Sequence, residues 1–380
     1  MKNKHLKRAV VVRNAYRWQY GGAEQFAYNL GSVMKDDGVD VTVVTRVPEL
    51  LKHCRRQGIK TFKNLWLQNE THRRWMPLYY LLYPLLVAQY AWVLVSRRAD
   101  LLVVQSRDDQ IFGTIAAKLV GVPVVWFDHA DMKHIAAHPF RFMSKSYYWA
   151  LERADTVIMT SKAEQANIDA NLPKRYQSRF VLINNGALKG AGTAMGRPQD
   201  KQIVAYAGRL DKDKGLFDLV EAAAEVVKKV PQVEFWLAGK GPDESELQAR
   251  IEKHKLQPHF RLLGHLDNVW DLLVTADIFV YPTHHDAAPL APVEALLAGV
   301  PVVASKVGGI PEMVPDEAGL LVEPHQPGKL AGALVKLLGD EKRLAAMKAA
   351  ARKAGPTMTF GHVYKEKYRP LFERLIGEKR

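Results

Sequence analysis

Short apolar runs rich in valine and isoleucine recur along the chain and alternate with stretches of helical spacing. Strands that are apolar throughout are buried on both faces, as in parallel sheets that helices cover on each side. Before residue 189 the runs are 9–12, 41–45, 101–105, 122–127, 156–160 and 180–183. After residue 200 they are 203–207, 233–238, 261–263, 278–281, 300–304 and 320–322. The pattern predicts an α/β chain with two doubly wound domains.

The length of 380 residues agrees with two domains of ordinary size. We expect an N-terminal domain over residues 1–188, a glycine-rich linker over 189–200 and a C-terminal domain over 201–355. Residues 356–380 should form a helix that packs back on the N-terminal domain. Its apolar stripe consists of Tyr364, Tyr368, Leu371, Phe372 and Ile376.

The charge is distributed unevenly between the two halves. Residues 1–200 hold 29 Lys and Arg against 16 Asp and Glu, whereas residues 201–380 hold 25 against 24, so the net charge of +14 lies almost wholly in the first half. Such an excess indicates an acidic partner, for which an anionic membrane, an acidic substrate and nucleic acid are the candidates. The single cysteine, Cys54, excludes an intramolecular disulfide and favours a reducing compartment. We expect no cleavable signal peptide, because the first apolar run ends at Arg13.

The segment Met76–Val95 is 20 residues long and carries no formal charge. A membrane span is rejected, because the segment lies between strands of one predicted sheet and contains Pro77 and Pro84. We expect most of its side chains to be buried in the N-terminal domain. The basic residues before it, with Trp66 and Trp75, suit anionic headgroups. They are Arg55, Arg56, Lys60, Lys63, Arg73 and Arg74.

Three local patterns carry chemistry. Gly21 and Gly22 open a helix after the first strand, where backbone N–H groups favour an anion, although a tight turn alone explains them too. Gly208 follows a strand and precedes Arg209 and Lys214, two cations that can clamp a diphosphate or lie on a solvated loop.

The third pattern runs from Asp286 to Glu294 after the strand 278–281. It places two carboxylates at the edge of a parallel sheet where ligands bind, and carboxylates accept hydrogen bonds from sugar hydroxyls. Glu294 could instead serve only the dipole of the short helix there.

Taken in order, these stretches resemble the retaining glycosyltransferases of family 4. The similarity spans nearly the whole chain and is most specific in YAGRLDKDKG, VEFWLAGKGP, ADIFVYPT and VEALLAGVPVVASKVGGIPEMV. It implies a GT-B fold, in which two Rossmann-like domains face each other across a cleft. It also implies a nucleotide-diphosphate sugar, linked to UDP or GDP, as co-substrate, with no other cofactor and no metal.

The resemblance assigns roles to individual residues. Arg209 and Lys214 match the basic pair on the donor diphosphate, and Glu294 matches the acid that binds ribose hydroxyls. Asp286 stands at the acid position facing the donor sugar, where the family has Glu. His129 matches a histidine that contacts the donor sugar. The remaining donor-binding positions are Gly21, Gly22, Gly208, Gly239, Pro289 and Leu290.

The expected reaction transfers a sugar with retention of configuration to a glycan or lipid-linked acceptor. Arg209 and Lys214 would stabilise the leaving diphosphate, whose own oxygen would deprotonate the acceptor. We expect the chain to be cytoplasmic and peripheral at the inner face of the cell membrane, in glycolipid or polysaccharide synthesis. A nucleotide-sugar-binding protein without transfer activity remains an alternative, suggested by the altered Asp286–Leu290 loop. A nucleic-acid-binding protein is disfavoured, because no known nucleic-acid-binding motif occurs.

Overall fold

The computed structural model describes residues 5–14, 21–64, 82–127 and 141–378, with backbone only for 141–144. The chain forms two compact units. The first unit comprises the described residues of Met1–Thr160, Glu164–Ile183 and Val363–Arg380, and the second comprises Ser161–Ala163 and Asn184–His362.

The first unit is built on a parallel sheet with the order β3-β2-β1-β4-β5-β6-β7. Its strands are β1 Arg8–Val12, β2 Asp40–Thr45, β3 Lys60–Lys63, β4 Leu101–Val104, β5 Val124–Phe127, β6 Thr156–Met159 and β7 Phe180–Leu182. Valine and isoleucine dominate the central strands, where branched side chains pack well on a pleated surface. Val11, Val43 and Val103 are fully buried, as expected for a sheet covered on both faces.

Helices cover both faces of this sheet. They are α1 Gly22–Asp36, α2 Pro48–Arg56, α3 Tyr83–Ser96, α4 Arg107–Val120, α5 Arg141–Arg153, α6 Lys162–Asn171 and α7 Lys174–Gln177. Side chains of α3, α4 and α5 share one core with Val10 and Val12 of β1. On the opposite face, Phe26 of α1 packs against Phe127 of β5, with ring centroids 4.7 Å apart.

The second unit repeats the same plan. Its parallel sheet has the order β10-β9-β8-β11-β12-β13. The strands are β8 Gln202–Ala207, β9 Val233–Ala238, β10 Phe260–Gly264, β11 Ile278–Tyr281, β12 Val302–Ser305 and β13 Gly319–Val322. The helices are α8 Leu216–Lys229, α9 Glu244–Lys253, α10 Val269–Thr275, α11 Leu290–Leu297, α12 Ile310–Met313, α13 Pro327–Leu338, α14 Glu341–Met358 and α15 Phe360–Val363.

The C-terminal helical segment belongs to the first unit. A π-helical turn at Tyr364–Tyr368 leads into α16, Arg369–Glu378. All five side chains of the sequence-derived stripe are buried, and Tyr368 contacts the rings of Phe26 and Phe127. An ion pair between Arg369 and Asp37, with 3.0 Å between Nη1 and Oδ1, ties the segment to the end of α1.

The glycine-rich segment 189–200 has no helix or strand, but it is not a loose tether. Gly190 and Gly192 lie so close to Trp270 that a Cβ on either would overlap it. The Thr193 amide donates to Asp271 at 2.7 Å, and Arg197 pairs with Asp277 at 3.0 Å. The small residues therefore let this backbone pack on α10, and the segment forms part of the second unit.

All the strands expected from the apolar runs are present, and β3 is an additional one. Its sequence, Lys-Thr-Phe-Lys, lacks an apolar run because it lies at the sheet edge, where charged residues discourage pairing with another chain. The helix α3 corresponds to the described part of the uncharged segment Met76–Val95. At 14 residues it is about 21 Å long, short of a hydrocarbon core of about 30 Å. Within the described ranges, no helix is long and apolar enough to cross a membrane.

Candidate active site

The second unit has a topological switch point between β8 and β11. These strands are neighbours, but the chain continues from β8 toward β9 on one side and from β11 toward β12 on the other. Loops that leave such strands diverge and leave a crevice at their carboxyl ends, the usual ligand site of α/β sheets. The loop after β8 carries Arg209 and Lys214, and the loop after β11 carries Asp286.

Lys214 and Asp286 meet directly. Lys214 Nζ lies 2.6 Å from Asp286 Oδ2, and about a fifth of each side chain is exposed. The Tyr281 hydroxyl donates to the same carboxylate oxygen at 2.8 Å. Burial, followed by the nearby negative charge of Asp286, raises the pKa of Tyr281 well above its ordinary value, so this phenol stays a neutral donor. The pair thus offers a cation and a carboxylate on one partly exposed spot.

Arg209 is positioned by its main chain. Its carbonyl accepts a hydrogen bond of 2.9 Å from the Tyr206 hydroxyl, and the Tyr206 ring stacks on Tyr281 with 6.0 Å between centroids. The Arg209 side chain is 59% exposed, and its Nε lies 2.6 Å from the buried carboxylate of Asp211. Asp211 also accepts from the Asp213 amide at 2.9 Å, which caps the 3-10 turn Lys212–Lys214. This arrangement leaves the forked end of the guanidinium free of other partners within the described residues.

Gly208 and Gly239 let two loops touch. Gly239 has a φ of 138°, in a region that side chains rarely adopt, and a Cβ there would overlap the carbonyl oxygen of Gly208. The loop after β8 therefore rests on the loop after β9, which fixes the start of the Arg209–Lys214 loop.

Glu294 lies on α11 with a half-buried carboxylate. No hydrogen bond or ion pair of this carboxylate occurs within the described part of the chain, and burial raises its pKa from 4.5 to about 7. It makes no polar contact with Arg209, Lys214 or Asp286. A carboxylate withdrawn from water without a partner is stabilised by any ligand that donates hydrogen bonds to it.

Pro289 and Leu290 form the start of α11. Pro289 is buried with a φ of −68°, and Leu290 is the first residue of the helix. The loop in front of them is supported by a feature that sequence reasoning did not single out. Gly308 has a φ of 53°, and a Cβ there would overlap the carbonyl oxygen of Asp286, while the Gly309 amide donates to Ala287 at 2.8 Å. The two glycines occur in the quoted motif, but only the structure shows what they support.

Gly21 and Gly22 belong to the first unit, at the start of α1. The Gly21 amide donates to Glu24 Oε2 at 3.0 Å, and Glu24 Oε1 accepts from Arg13 Nε at 2.7 Å. One N–H of the helix start is therefore already occupied by a carboxylate of the same helix. A Cβ built on Gly22 meets nothing within 4 Å. His129, like Asp128 and Asp131, lies outside the described residues.

The first unit has an equivalent switch point between β1 and β4, with a buried polar cluster that sequence reasoning missed. Asp109 Oδ1 accepts from the Tyr90 hydroxyl at 2.5 Å, and Asp109 Oδ2 accepts from Asn14 Nδ2 at 2.9 Å. Asn64 Nδ2 donates to the Tyr90 hydroxyl at 3.0 Å. Burial, opposed by these hydrogen bonds, raises the pKa of Asp109 to about 6.

Two amide side chains beside this cluster have unsatisfied atoms. Asn14 follows β1 and Gln105 follows β4, and both are at least nine-tenths buried. Asn14 Oδ1 and both polar atoms of Gln105 have no hydrogen-bond partner within the described ranges. Unpaired buried polar atoms are uncommon and usually have a specific reason, of which a ligand at a switch point is one.

The fold and this site define a protein of two doubly wound domains, whose second unit presents cations and carboxylates at a switch point. Comparison with known proteins narrows the class. The model of the family described as Glycosyl transferases group 1 matches residues 194–354, and that of Glycosyltransferase Family 4 matches residues 20–187.

Individual relatives and structures agree with the family match. A phosphatidylinositol N-acetylglucosaminyltransferase of Arabidopsis thaliana is 27% identical over 87% of this chain and 74% of its own. The putative teichuronic acid biosynthesis glycosyltransferase TuaC of Bacillus subtilis is 27% identical over 79% of this chain and 80% of its own. The structure of Anabaena HepE in complex with UDP has a TM-score of 0.75 at 20% identity, covering 96% of this chain and 99% of its own.

The chain therefore belongs to the family 4 glycosyltransferases and has the GT-B fold of two Rossmann-like domains.

Proposed function

We propose that this chain transfers a sugar, with retention of configuration and without a catalytic metal, from a UDP- or GDP-linked donor to a glycan or lipid-linked acceptor. The observation that carries the proposal is the contact of Lys214 with Asp286 beside Arg209 at the second switch point. A nucleotide sugar needs cations for its diphosphate and carboxylates for its hydroxyl groups, and this edge offers both.

Breaking the sugar–phosphate bond builds negative charge on the leaving diphosphate. The forked guanidinium of Arg209 and the ammonium of Lys214 are suited to stabilise that charge as it develops. When Lys214 turns to the diphosphate, Asp286 is released to accept hydrogen bonds from the donor sugar. The partnerless carboxylate of Glu294 is assigned to the ribose hydroxyls. We assign the proton of the acceptor hydroxyl to a leaving-phosphate oxygen on the same face, and we name no enzymic nucleophile.

The acceptor is assigned to the switch point of the first unit. Asn14 and Gln105 hold unsatisfied amide atoms there, which can both donate to and accept from hydroxyl groups. The names of two relatives, a teichuronic acid biosynthesis enzyme and a phosphatidylinositol N-acetylglucosaminyltransferase, support a lipid-linked or cell-envelope acceptor. The UDP and UDP-glucose complexes of HepE support a nucleotide-sugar donor.

The decisive experiment is a donor screen by thermal shift, followed by NMR of the product formed from the stabilising nucleotide sugar. An α-linked donor should give an α-linked product, and activity should survive EDTA. A β-linked product, or a complete loss in EDTA that a divalent metal reverses, would contradict the mechanism. Slow release of free sugar without an acceptor would distinguish an enzyme from a nucleotide-sugar-binding protein, which releases none.

We further propose that the enzyme is cytoplasmic and works at the inner face of the cell membrane, where its first unit contacts lipid. Within the described part of the chain, five of the six exposed large apolar side chains lie on the neighbouring helices α3, α4 and α5. We call this set the outer apolar face; it consists of Leu85, Trp92, Val95, Leu119 and Trp149.

Cations accompany the outer apolar face. Arg97 and Arg98 follow α3 directly, and Arg153 lies over the Trp149 ring, 4.1 Å from its centroid. Apolar side chains that enter the lipid interface beside basic residues that meet anionic headgroups are typical of peripheral membrane contacts. The expected burial of the uncharged segment holds for only one face of α3, because Leu86, Tyr90 and Val93 are buried while Trp92 is 58% exposed.

Co-sedimentation with anionic and neutral vesicles, at low and high salt, tests this contact. Binding should be stronger to anionic vesicles, weaken with salt and weaken again in Trp92→Ser. Val274→Ser is the matched control, because Val274 is an exposed apolar residue of the second unit. Equal recovery with both vesicle types, or equal losses in the two variants, would argue for a soluble acceptor and no lipid contact.

A further inference from the structure

Three side chains of the second unit form a cluster that the proposed reaction does not use. His284 Nε2 lies 2.8 Å from Asp218 Oδ2. The His284 and His325 rings lie against each other, with centroids 3.8 Å apart and an interplanar angle of 36°. One potential ligand atom from each of the three residues lies within 4.8 Å of the other two.

Three separate elements hold the cluster in place. Asp218 lies in the first turn of α8, His284 lies in the loop after β11, and His325 lies between β13 and α13. His325 has a φ of 57°, a left-handed conformation that is uncommon for residues with a side chain and often found at functional positions. About a fifth of the Asp218 and His284 side chains is exposed, and His325 is exposed, so an ion could reach the cluster from solvent.

The donor set fits a first-row transition metal. Two imidazoles and one carboxylate are ligands that zinc takes at about 2.0–2.2 Å, with water completing a tetrahedral site. Ligand atoms in such a site lie about 3.3 Å apart. Small side-chain rotations bring atoms within 4.8 Å of one another to that separation, and the ion takes the place of the proton between Asp218 and His284.

We propose that Asp218, His284 and His325 form a binding site for Zn²⁺ that braces the donor loop from behind. The His284 amide donates to the Asp213 carbonyl at 2.8 Å, and the Thr283 hydroxyl donates to the same oxygen at 3.2 Å. Asp213 is the neighbour of Lys214, and Asp286 is two residues beyond His284. An ion on His284 therefore restrains both loops that carry the Lys214–Asp286 pair, without contacting the reacting atoms. The metal site itself does not depend on the proposed reaction.

The test uses the full chain, purified without a polyhistidine tag and stripped with a chelator. Calorimetric titration with Zn²⁺ should show one equivalent bound, and Co²⁺ should give the visible absorption of a tetrahedral site with nitrogen and oxygen ligands. His325→Asn should weaken Zn²⁺ binding more than tenfold, because it removes one of three ligands while asparagine tolerates the left-handed backbone. His285→Ala, in the same loop and exposed, should bind Zn²⁺ like the parent chain.

Absence of Zn²⁺ binding at micromolar concentration, or binding that survives both His325→Asn and Asp218→Asn, would overturn the site. If the ion braces the loop, Zn²⁺ should tighten binding of the stabilising nucleotide at least threefold in the parent chain and leave His325→Asn unchanged. Equal nucleotide affinity with and without Zn²⁺ would overturn the bracing. A chelator effect on the parent chain alone belongs to this site, whereas loss of activity in both chains would contradict metal-independent transfer.

Discussion

The two units share one strand plan but fill their switch points differently. In the second unit, the carboxyl ends of β8 and β11 carry opposite charges with a partly exposed ion pair, Lys214–Asp286. In the first unit, the corresponding ends of β1 and β4 carry neutral amides, Asn14 and Gln105, over the buried Asp109. The comparison indicates that one fold suits a charged ligand in one copy and a ligand rich in hydroxyl groups in the other, through loop residues alone.

The two edges also differ in how they are stabilised. Close glycine contacts hold the second, since Gly239 rests on Gly208 and Gly308 on Asp286. A hydrogen-bond network holds the first, in which Tyr90 and Asp109 have no exposure to speak of. Substitutions in the first edge should therefore act on stability, and substitutions in the second should act on binding.

The largest expected effect is the loss of stability in Asp109→Ala. This change removes the acceptor of both the Tyr90 hydroxyl and the Asn14 amide, leaving two buried donors unpaired. At about 1–3 kcal/mol for each such group, unfolding of the first unit should become easier by about 2–4 kcal/mol in urea titrations. Asp40→Ala is the control, because its ion pair with Lys60 is exposed and should matter little.

Asp109→Asn separates hydrogen bonding from charge. Because the pKa of Asp109 is raised from 3.8 to about 6, the folded chain keeps a proton that the unfolded chain loses, so stability falls as the pH rises through this window. In Asp109→Asn that contribution to the slope should vanish, while the loss of stability stays well below that of the alanine variant. Equal losses in the two variants would show that the network is not held by hydrogen bonds.

The next effect in size concerns donor binding. Lys214→Ala should weaken binding of the stabilising nucleoside diphosphate by about 1.5–3 kcal/mol, or about 10–150-fold, because a charge-assisted contact is lost. Lys212→Ala is the matched control, since Lys212 lies on the same 3-10 turn but is exposed. Calorimetry with unchanged affinity in Lys214→Ala would remove this residue from the diphosphate site.

The sequence predicts the frame of both units well and their sites unequally. The apolar runs identify the buried strands because burial on both faces demands continuous apolar sequence, whereas β3 escapes this rule at the edge. Arg209, Lys214 and Asp286 are visible because each lies just after a strand in a short motif. The cluster of Asn14, Asn64, Tyr90 and Asp109 is not visible, because four separate segments contribute one side chain each and none has a distinctive neighbour.

A smaller effect should appear as a pH dependence of donor binding. With a pKa of about 7, Glu294 gains its charge as the pH rises from about 6 to about 8, and the charged form is the better acceptor for ribose hydroxyls. Affinity for a nucleotide sugar, whose phosphates do not titrate there, should rise by up to about tenfold over that range. Stability of the free chain should move the other way, falling between about 4.5 and 7, because the folded state holds the proton longer. Glu294→Gln should abolish both trends, and a trend that persists in this variant would assign it to another group.

The smallest expected change in stability, and the sharpest test of the glycine loop, is Gly22→Ala. A methyl group at this position meets nothing within 4 Å, and alanine is the better helix former, so stability should change by less than about 1 kcal/mol. If the loop approaches a ligand closely, the same methyl group should still lower turnover with the nucleotide sugar by several-fold. Gly361→Ala is the control, because its Cβ also meets open space at a helical position far along the chain from any proposed site. Parallel melting curves and steady-state assays of the two variants decide the point: equal turnover in both means that the Gly21–Gly22 loop is a helix start and nothing more.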